Sequence, residues 1–342
     1  MRRILYGVSP IGLGHASRAV AVGLKLRERG LEVEFASGGR AVRFLASYGF
    51  KVHDVVTEPT PNERDGVMQN PSLWYIRYWR GYRRTRSSMR LLVERTAPEL
   101  VVGDEEFSSV SLALEMKLKH ALISDELELG FARSAVSRYI EKRVSRWYKQ
   151  LQLSVSHLLV PDFGSDHDNV HFTTPVVREV TSTREELLRS LALDEDSKVV
   201  LLSASGSGIG EFLLRSTLES LRMLRIPGSK LVVTGLRSRA STDSTVYLGT
   251  YRDNQNLVAA ADLVISTAGK STIDEAASYG SPLISIPIKN HSEQERNAAA
   301  LGFSYEDRSR LTELIPKYLG KRTAPKAYHG ADSIASYLQD LM

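Results

Sequence analysis

The chain has 342 residues, 42% of them hydrophobic and 25% charged, with 45 Lys and Arg against 40 Asp and Glu, a net charge of +5. That length allows two domains of ordinary size, and the composition is that of a folded globular protein. The absence of cysteine excludes disulfides, thiol nucleophiles and cysteine-ligated metal; no apolar run approaches the ~20 residues of a spanning helix, and Met1-Arg2-Arg3 leads straight into a strand, so a cytoplasmic setting is expected.

In chain order, RRILYGV reads as a strand, SPIGLG as a loop, and a helix runs from about His15 to Arg29. The strand LEVEFAS, a helix around 40–48 and the strand FKVHDVV follow. After a long basic segment come the strand ELVVGD, a helix near 109–117 and HALISD. The second half restarts with the strand SKVVLLSAS, the glycine loop GSGIG and a helix over 211–224. KLVVTG, VYLGT, a helix near 256–261, DLVIST, a helix from Ser271 and PLISIPI complete it. Short apolar runs alternating with amphipathic helices predict an α/β protein with two Rossmann-like, doubly wound parallel-sheet domains. The expected division is 1–165, a polar linker over 166–182, a second domain over 183–324, and a closing helix over 325–342. Open α/β sheets bind ligands beyond the carboxyl ends of their strands, so a cleft between two facing domains is the default site.

Neither glycine loop is a dinucleotide fingerprint. Gly12 and Gly14 should be followed by glycine at 17, which is Ser17; Gly206 and Gly208 should be followed by glycine at 211, which is Glu211. NAD or FAD is therefore not expected. DLVISTAGKSTIDEA has a P-loop's ending, but the glycine required five residues before Gly269 is Val264. What remains is an apolar strand, a small-residue turn at Ala268-Gly269-Lys270 and a helix start at Ser271-Thr272. Such a start suits a phosphate through free N–H groups and the macrodipole. Alternatively, Ser271 or Thr272 simply caps the helix.

His15 follows the first glycine loop, and an unperturbed pKa of about 6.5 suits a general base. Its place at a helix start favours the neutral form; the other reading is a histidine that caps or packs. Asp104 ends a strand and could orient His15, act as the base itself, or cap the next helix. Asp125 is a similar, lesser candidate. His167 and His171 are four apart, but in a linker rather than a helix, so no required metal is expected there. The segment Trp74 to Arg95 carries seven arginines interleaved with Trp74, Tyr75, Tyr78, Trp79 and Tyr82. It suits a helix lying on an anionic membrane surface, or recognition of a lipid-linked phosphate. Nucleic acid is not expected, since no base-reading motif accompanies it. The competing reading is a solvated helix whose aromatics face the core.

Taken together, Ala268-Gly269, Ser271-Thr272, Glu275, Pro287 and His291-x-x-Gln294-x-x-Asn297, with the N-terminal GLGHASR, resemble the GT-B glycosyltransferases. The likeness is to the lipid-acceptor branch that includes the GlcNAc transferase of peptidoglycan synthesis and its archaeal relatives. It implies a metal-independent transfer from a UDP-sugar to a lipid or lipid-phosphate acceptor, with inversion. By that resemblance Glu275 accepts from the ribose hydroxyls, Ser271 and Thr272 bind the diphosphate with the loop Ser205, Gly206, Ser207 and Gly208, and Asn290, His291 and Gln294 face the sugar. Tyr251 falls where the base is contacted, and the Gly12–Gly14 loop meets substrate. Lys270 departs from the family's small or apolar residue. A UDP-sugar hydrolase and a non-catalytic nucleotide-sugar-binding protein are the alternatives.

Overall fold

The computed structural model describes residues 2–60, 62–69, 71–124, 135–204 and 209–342. The chain divides into two compact units. The first comprises Met1–Pro61, Asn70–Val177 and Tyr328–Met342, the second Asn62–Gln69 and Arg178–Ala327. The elements in chain order are β1 (Arg3–Val8), α1 (Gly14–Glu28), β2 (Glu32–Ser37), α2 (Gly39–Ala46), β3 (Lys51–Asp54), the hairpin β4 (Asn62–Arg64) and β5 (Val67–Gln69), α3 (Pro71–Thr96), β6 (Leu100–Asp104), α4 (Phe107–Glu115), β7 (His120–Ile123), α5 (Ala135–Ser154), β8 (Leu158–Val160) and β9 (Val170–Phe172). There follow α6 (Arg184–Ser190), β10 (Lys198–Ser203), α7 (Glu211–Leu224), β11 (Ser229–Thr234), β12 (Thr245–Gly249), α8 (Asn254–Ala260), β13 (Leu263–Ser266), α9 (Lys270–Tyr279), β14 (Leu283–Ser285), α10 (Ser292–Ala300), α11 (Leu311–Tyr318) and α12 (Gly330–Asp340).

In the first unit the strands pair in parallel in the order β3-β2-β1-β6-β7-β8-β9. Side chains alternate across a strand. Ile4, Tyr6 and Val8 enter the core shared with α1, α2 and α12, while Leu5 joins Met89, Leu92 and Leu112 of α3 and α4 on the other face. Apolar cover on both faces explains why these strands read as continuous hydrophobic runs. Strand β9 forms where a linker was expected, pairing with β8. The closing helix α12 buries Ile334, Ala335 and Leu338 in this unit's core, and burial of Ile334 or Leu338 is worth about 1.5–3 kcal/mol each.

The second unit has a parallel sheet in the order β12-β11-β10-β13-β14. Val200 and Leu202 of β10 face one core and Val199 and Leu201 the other. Helix α6 begins with a capping box between Thr183 and Glu186, and α9 ends at Gly280 in the left-handed conformation. Each sheet reverses its strand order at one point, between β1 and β6 and between β10 and β13. In open α/β sheets that switch point is where loops part and ligands bind.

Candidate functional site

The residues flanking the first switch point are those that follow β1 and end β6. The loop after β1 holds Gly12, with φ of +70° and open space around it, and delivers Gly14 and His15 into the first turn of α1. Asp104 is fully buried. Arg18 Nε donates to its Oδ2 at 2.9 Å, the Arg18 Nη2 reaches Oδ1, and the Tyr6 hydroxyl donates to Oδ2 at 3.3 Å. His15 Nδ1 lies 3.4 Å from Asp104 Oδ1, and the His15 side chain remains 26% exposed. Asp104 is not a cap, because the cap of α4 is Glu106, which accepts from the amides of Ser108 and Ser109 at 3.0 and 2.9 Å. Asp104 has no exposed surface, and its carboxylate is taken up by Arg18, Tyr6 and His15.

Burial alone would raise the Asp104 pKa, but the Arg18 charge beside it, with His15, holds it below the ordinary value. Burial works against charge on His15 as well; there the hydrogen bond to Asp104 wins and pushes the pKa up to about 9. The expectation of a neutral histidine favoured by the helix N-terminus is thus reversed. A contacting carboxylate outweighs a partial dipole charge spread over a turn. Nδ1 also lies 3.3 Å from Arg18 Nη2; a proton on Nδ1 would point at Asp104, 3.4 Å away, and leave Nε2 to exchange one.

Sequence reasoning missed Glu58. It is half-buried, beyond the carboxyl end of β3, and accepts from the Ser9 hydroxyl at 2.7 Å. Burial lifts its carboxyl to about 8, with Glu106 adding to the effect and Ser9 and His15 opposing it. The only signal was its place just past a strand end, in a stretch (VVTEPTP) without periodicity.

At the second switch point, Ser205, Gly206, Ser207 and Gly208 lie outside the described residues, as does Asp125 of the first unit. The turn after β13 is described. Ala268 is fully buried with φ of +58°, a conformation that costs a non-glycine residue about 1 kcal/mol. The Asn297 amide of α10 donates to its carbonyl at 3.1 Å, so the turn and α10 are brought together. Gly269 is the N-cap of α9, with ordinary dihedrals and nothing within 4 Å of where a Cβ would stand. Ser271 and Thr272 lie inside the first turn and neither caps the helix.

The other candidates of this unit are more engaged than the sequence suggested. Lys270 lies along its own helix, its Nζ 3.0 Å from Asp274 Oδ2. Glu275 is 3% exposed and accepts from Arg178 Nε at 3.0 Å; Arg178 also donates to the Arg252 carbonyl at 2.8 Å, beside Tyr251. Tyr251 is half-buried against the core under α6 and α8, and burial raises its pKa. Asn290 has φ of +67° and its amide donates to Glu295 Oε1 at 2.9 Å. His291 stands at the N-cap of α10 without a capping bond from its side chain, and burial lowers its pKa. Gln294 uses its carbonyl to accept from the Ile288 amide at 3.0 Å.

The arginine–aromatic segment forms α3, and it divides by face. Tyr75 and Tyr78 are buried, Tyr75 donating to Glu141 of α5 at 2.9 Å. Leu73, Ile76 and Trp79 are exposed, as are Arg77, Arg80, Arg83 and Arg84. Arg86 and Arg90 pair with Glu115. Part of the aromatic content is therefore core packing against α5, as the competing reading held. Among the described residues no helix is long and apolar enough to cross a membrane.

Two Rossmann-like parallel sheets are the architecture of the GT-B class of glycosyltransferase; here one is edged by a histidine–aspartate pair and the other by an uncapped helix start. The glycosyl transferase family 1 model matches residues 2–310, and the chain belongs to that family. An uncharacterized glycosyltransferase from Methanosarcina acetivorans is 26% identical over 322 residues, spanning 87% of this chain and 83% of the relative. The UDP-N-acetylglucosamine--N-acetylmuramyl-(pentapeptide) pyrophosphoryl-undecaprenol N-acetylglucosamine transferase of a Methylobacterium species is also 26% identical, spanning 90% and 83%. Among solved structures, a Streptomyces sp. SF2575 glycosyltransferase complexed with thymidine diphosphate superposes with a TM-score of 0.63 at 17% identity, covering 99% of this chain and all of that one.

Proposed function

We propose that this glycosyltransferase moves a sugar from a UDP-sugar to a lipid or lipid-phosphate acceptor, with inversion and without a metal. The observation that carries the donor half is the edge after β13, where the uncapped α9 amides, a glycine with open space above it and the Asn297–Ala268 tie leave a fixed set of dipoles for a diphosphate. The named relative's UDP-N-acetylglucosamine donor and undecaprenol-linked acceptor support the choice of substrates. Glu275 is assigned to the ribose and Tyr251 to the base. Asn290, His291 and Gln294 are assigned to the sugar.

In the reaction the acceptor hydroxyl oxygen attacks the anomeric carbon, the bond from that carbon to the diphosphate breaks, and UDP leaves with the electron pair. The hydroxyl proton passes to His15 Nε2. Asp104, held by Arg18 and Tyr6, fixes the ring and stabilises the imidazolium that forms. The exposed basic and apolar face of α3 docks on an anionic membrane surface, where such an acceptor resides. The test is nucleotide release from a panel of sugar nucleotides with and without a lipid extract. Release that requires lipid is the expected outcome; release indifferent to lipid identifies a hydrolase.

A further inference from the structure

The hairpin β4–β5 spans only Asn62–Gln69 and belongs to the second unit, although its flanking sequence belongs to the first. A lone two-stranded hairpin of this size is marginal in water. What holds it is a single bridge to Lys289, with Val67 and Met68 packed against the second unit's core. Val67 pairs with Lys289 in parallel, the Met68 amide donates to the Lys289 carbonyl at 2.9 Å, and the Lys289 amide donates to the Gly66 carbonyl at 2.7 Å. The turn is pinned as well. The Tyr305 hydroxyl donates to the Asp65 carbonyl at 2.6 Å, and Arg215 meets the Asp65 carboxylate at 2.5 Å. Gly66 has φ of +75°, and a Cβ there would come within 2.8 Å of the Phe212 and Tyr305 rings, so only glycine fits.

Both backbone polar groups of Lys289 are thus taken by the hairpin. The next residue, Asn290, is left-handed and is held from the other side by Glu295, and His291 then opens α10. This short loop follows the carboxyl end of β14, where an open α/β sheet receives ligand. A loop fixed at both ends is preorganised, and positional errors near 1 Å are costly in such a site.

We propose that the β4–β5 hairpin is the positioning element of the donor-sugar loop, and that its clasp on Lys289, one residue before Asn290, sets which sugar the site accepts. The inference rests on the donor reading given above. Gly66, Met68 and Tyr305 are positioning residues, since they act through the loop.

The test is calorimetry of the full chain with UDP, UDP-N-acetylglucosamine, UDP-glucose and UDP-galactose. Wild type, Gly66→Ala and Met68→Pro are compared, with hydrogen exchange followed at the Lys289 amide. Met68→Pro removes the N–H that reaches Lys289 and keeps glycine at the turn; it decides the matter if Gly66→Ala fails to fold. Tyr305→Phe paired with Arg308→Ala, which removes both side-chain donors to the Asp65 carbonyl, decides it if neither folds. The expected result is faster exchange at Lys289, UDP affinity within twofold of wild type, and a loss of tenfold or more in the preference for the best sugar. An unchanged sugar ranking in a variant whose Lys289 amide exchanges freely overturns the proposal and leaves the donor reading intact. So does a wild type that binds UDP but ranks the sugars equally. A wild type that binds none of the four overturns the donor reading and this inference with it.

Discussion

At the carboxyl edge of the first sheet, Arg18 and Asp104 act on the protonation of His15, and His15 on that of Asp104 and Glu58. At the corresponding edge of the second sheet the charges are already matched, Glu275 with Arg178 and Lys270 with Asp274, and the α9 amides carry no side-chain cap. One sheet topology supports both. Proton transfer needs titrating groups whose pKa values the surroundings have moved. A diphosphate needs fixed dipoles and small residues, which lose nothing by reorganising when the ligand arrives.

The largest expected effect tests the first edge. His15→Ala should lower turnover by about 10²–10⁴ with UDP affinity unchanged. Single-turnover kinetics near the wild-type rate would remove proton transfer from that edge. Next, replacing Arg77, Arg80, Arg83 and Arg84 together by glutamine should weaken sedimentation with anionic vesicles by a hundredfold or more at low salt, at about 1 kcal/mol per charge. UDP affinity should stay intact, and equal sedimentation of variant and wild type would sink the membrane reading.

Glu275→Ala tests whether charge at the second edge is structural. It leaves the buried Arg178 guanidinium without its carboxylate, a loss of about 3 kcal/mol in a denaturant melt. The ribose assignment adds about 1.5–3 kcal/mol of lost UDP binding. A normal melt would dismiss the clamp, and normal calorimetry in a folded variant would dismiss the ribose contact.

The pH profile sharpens the comparison further. With His15 near pKa 9, about one molecule in a hundred carries the free base at pH 7, so kcat/KM should rise with pH and level near 9. Asp104→Asn removes the group that raises it, and the plateau should begin at lower pH, toward about 6.5. An unmoved inflection would assign it to another group. The smallest effect is on stability. A raised His15 pKa stabilises the fold fully below about 6.5, and that contribution is lost as pH rises through 9. The stability of His15→Ala should therefore fall less across that window. Glu58, raised from 4.5 to about 8, acts in the same direction over its own window, and Glu58→Gln should melt higher than wild type at pH 8.

The sheets were legible because buried parallel strands must be apolar on both faces, as VVLLS and LVIS are. His15 and the Ala268–Glu275 turn were legible because strand, small-residue loop and helix are contiguous in the chain. Glu58 was not, since its surroundings come from Ser9 and Glu106. The hairpin was not either, because its partner Lys289 is more than two hundred residues away.

The sequence by itself determined the alternation of strands and helices, the two glycine-opened halves and the identity of the residues at each switch point, all of which depend on neighbours within a few turns of chain. Only the tertiary structure decided the raised pKa of His15, the engagement of Glu275 by Arg178, the inward turn of Tyr75 and Tyr78, and the hairpin's seat against Lys289. Each depends on burial or on a charge brought from a distant segment. Electrostatics and desolvation act through space at a few ångströms, whatever the separation along the chain.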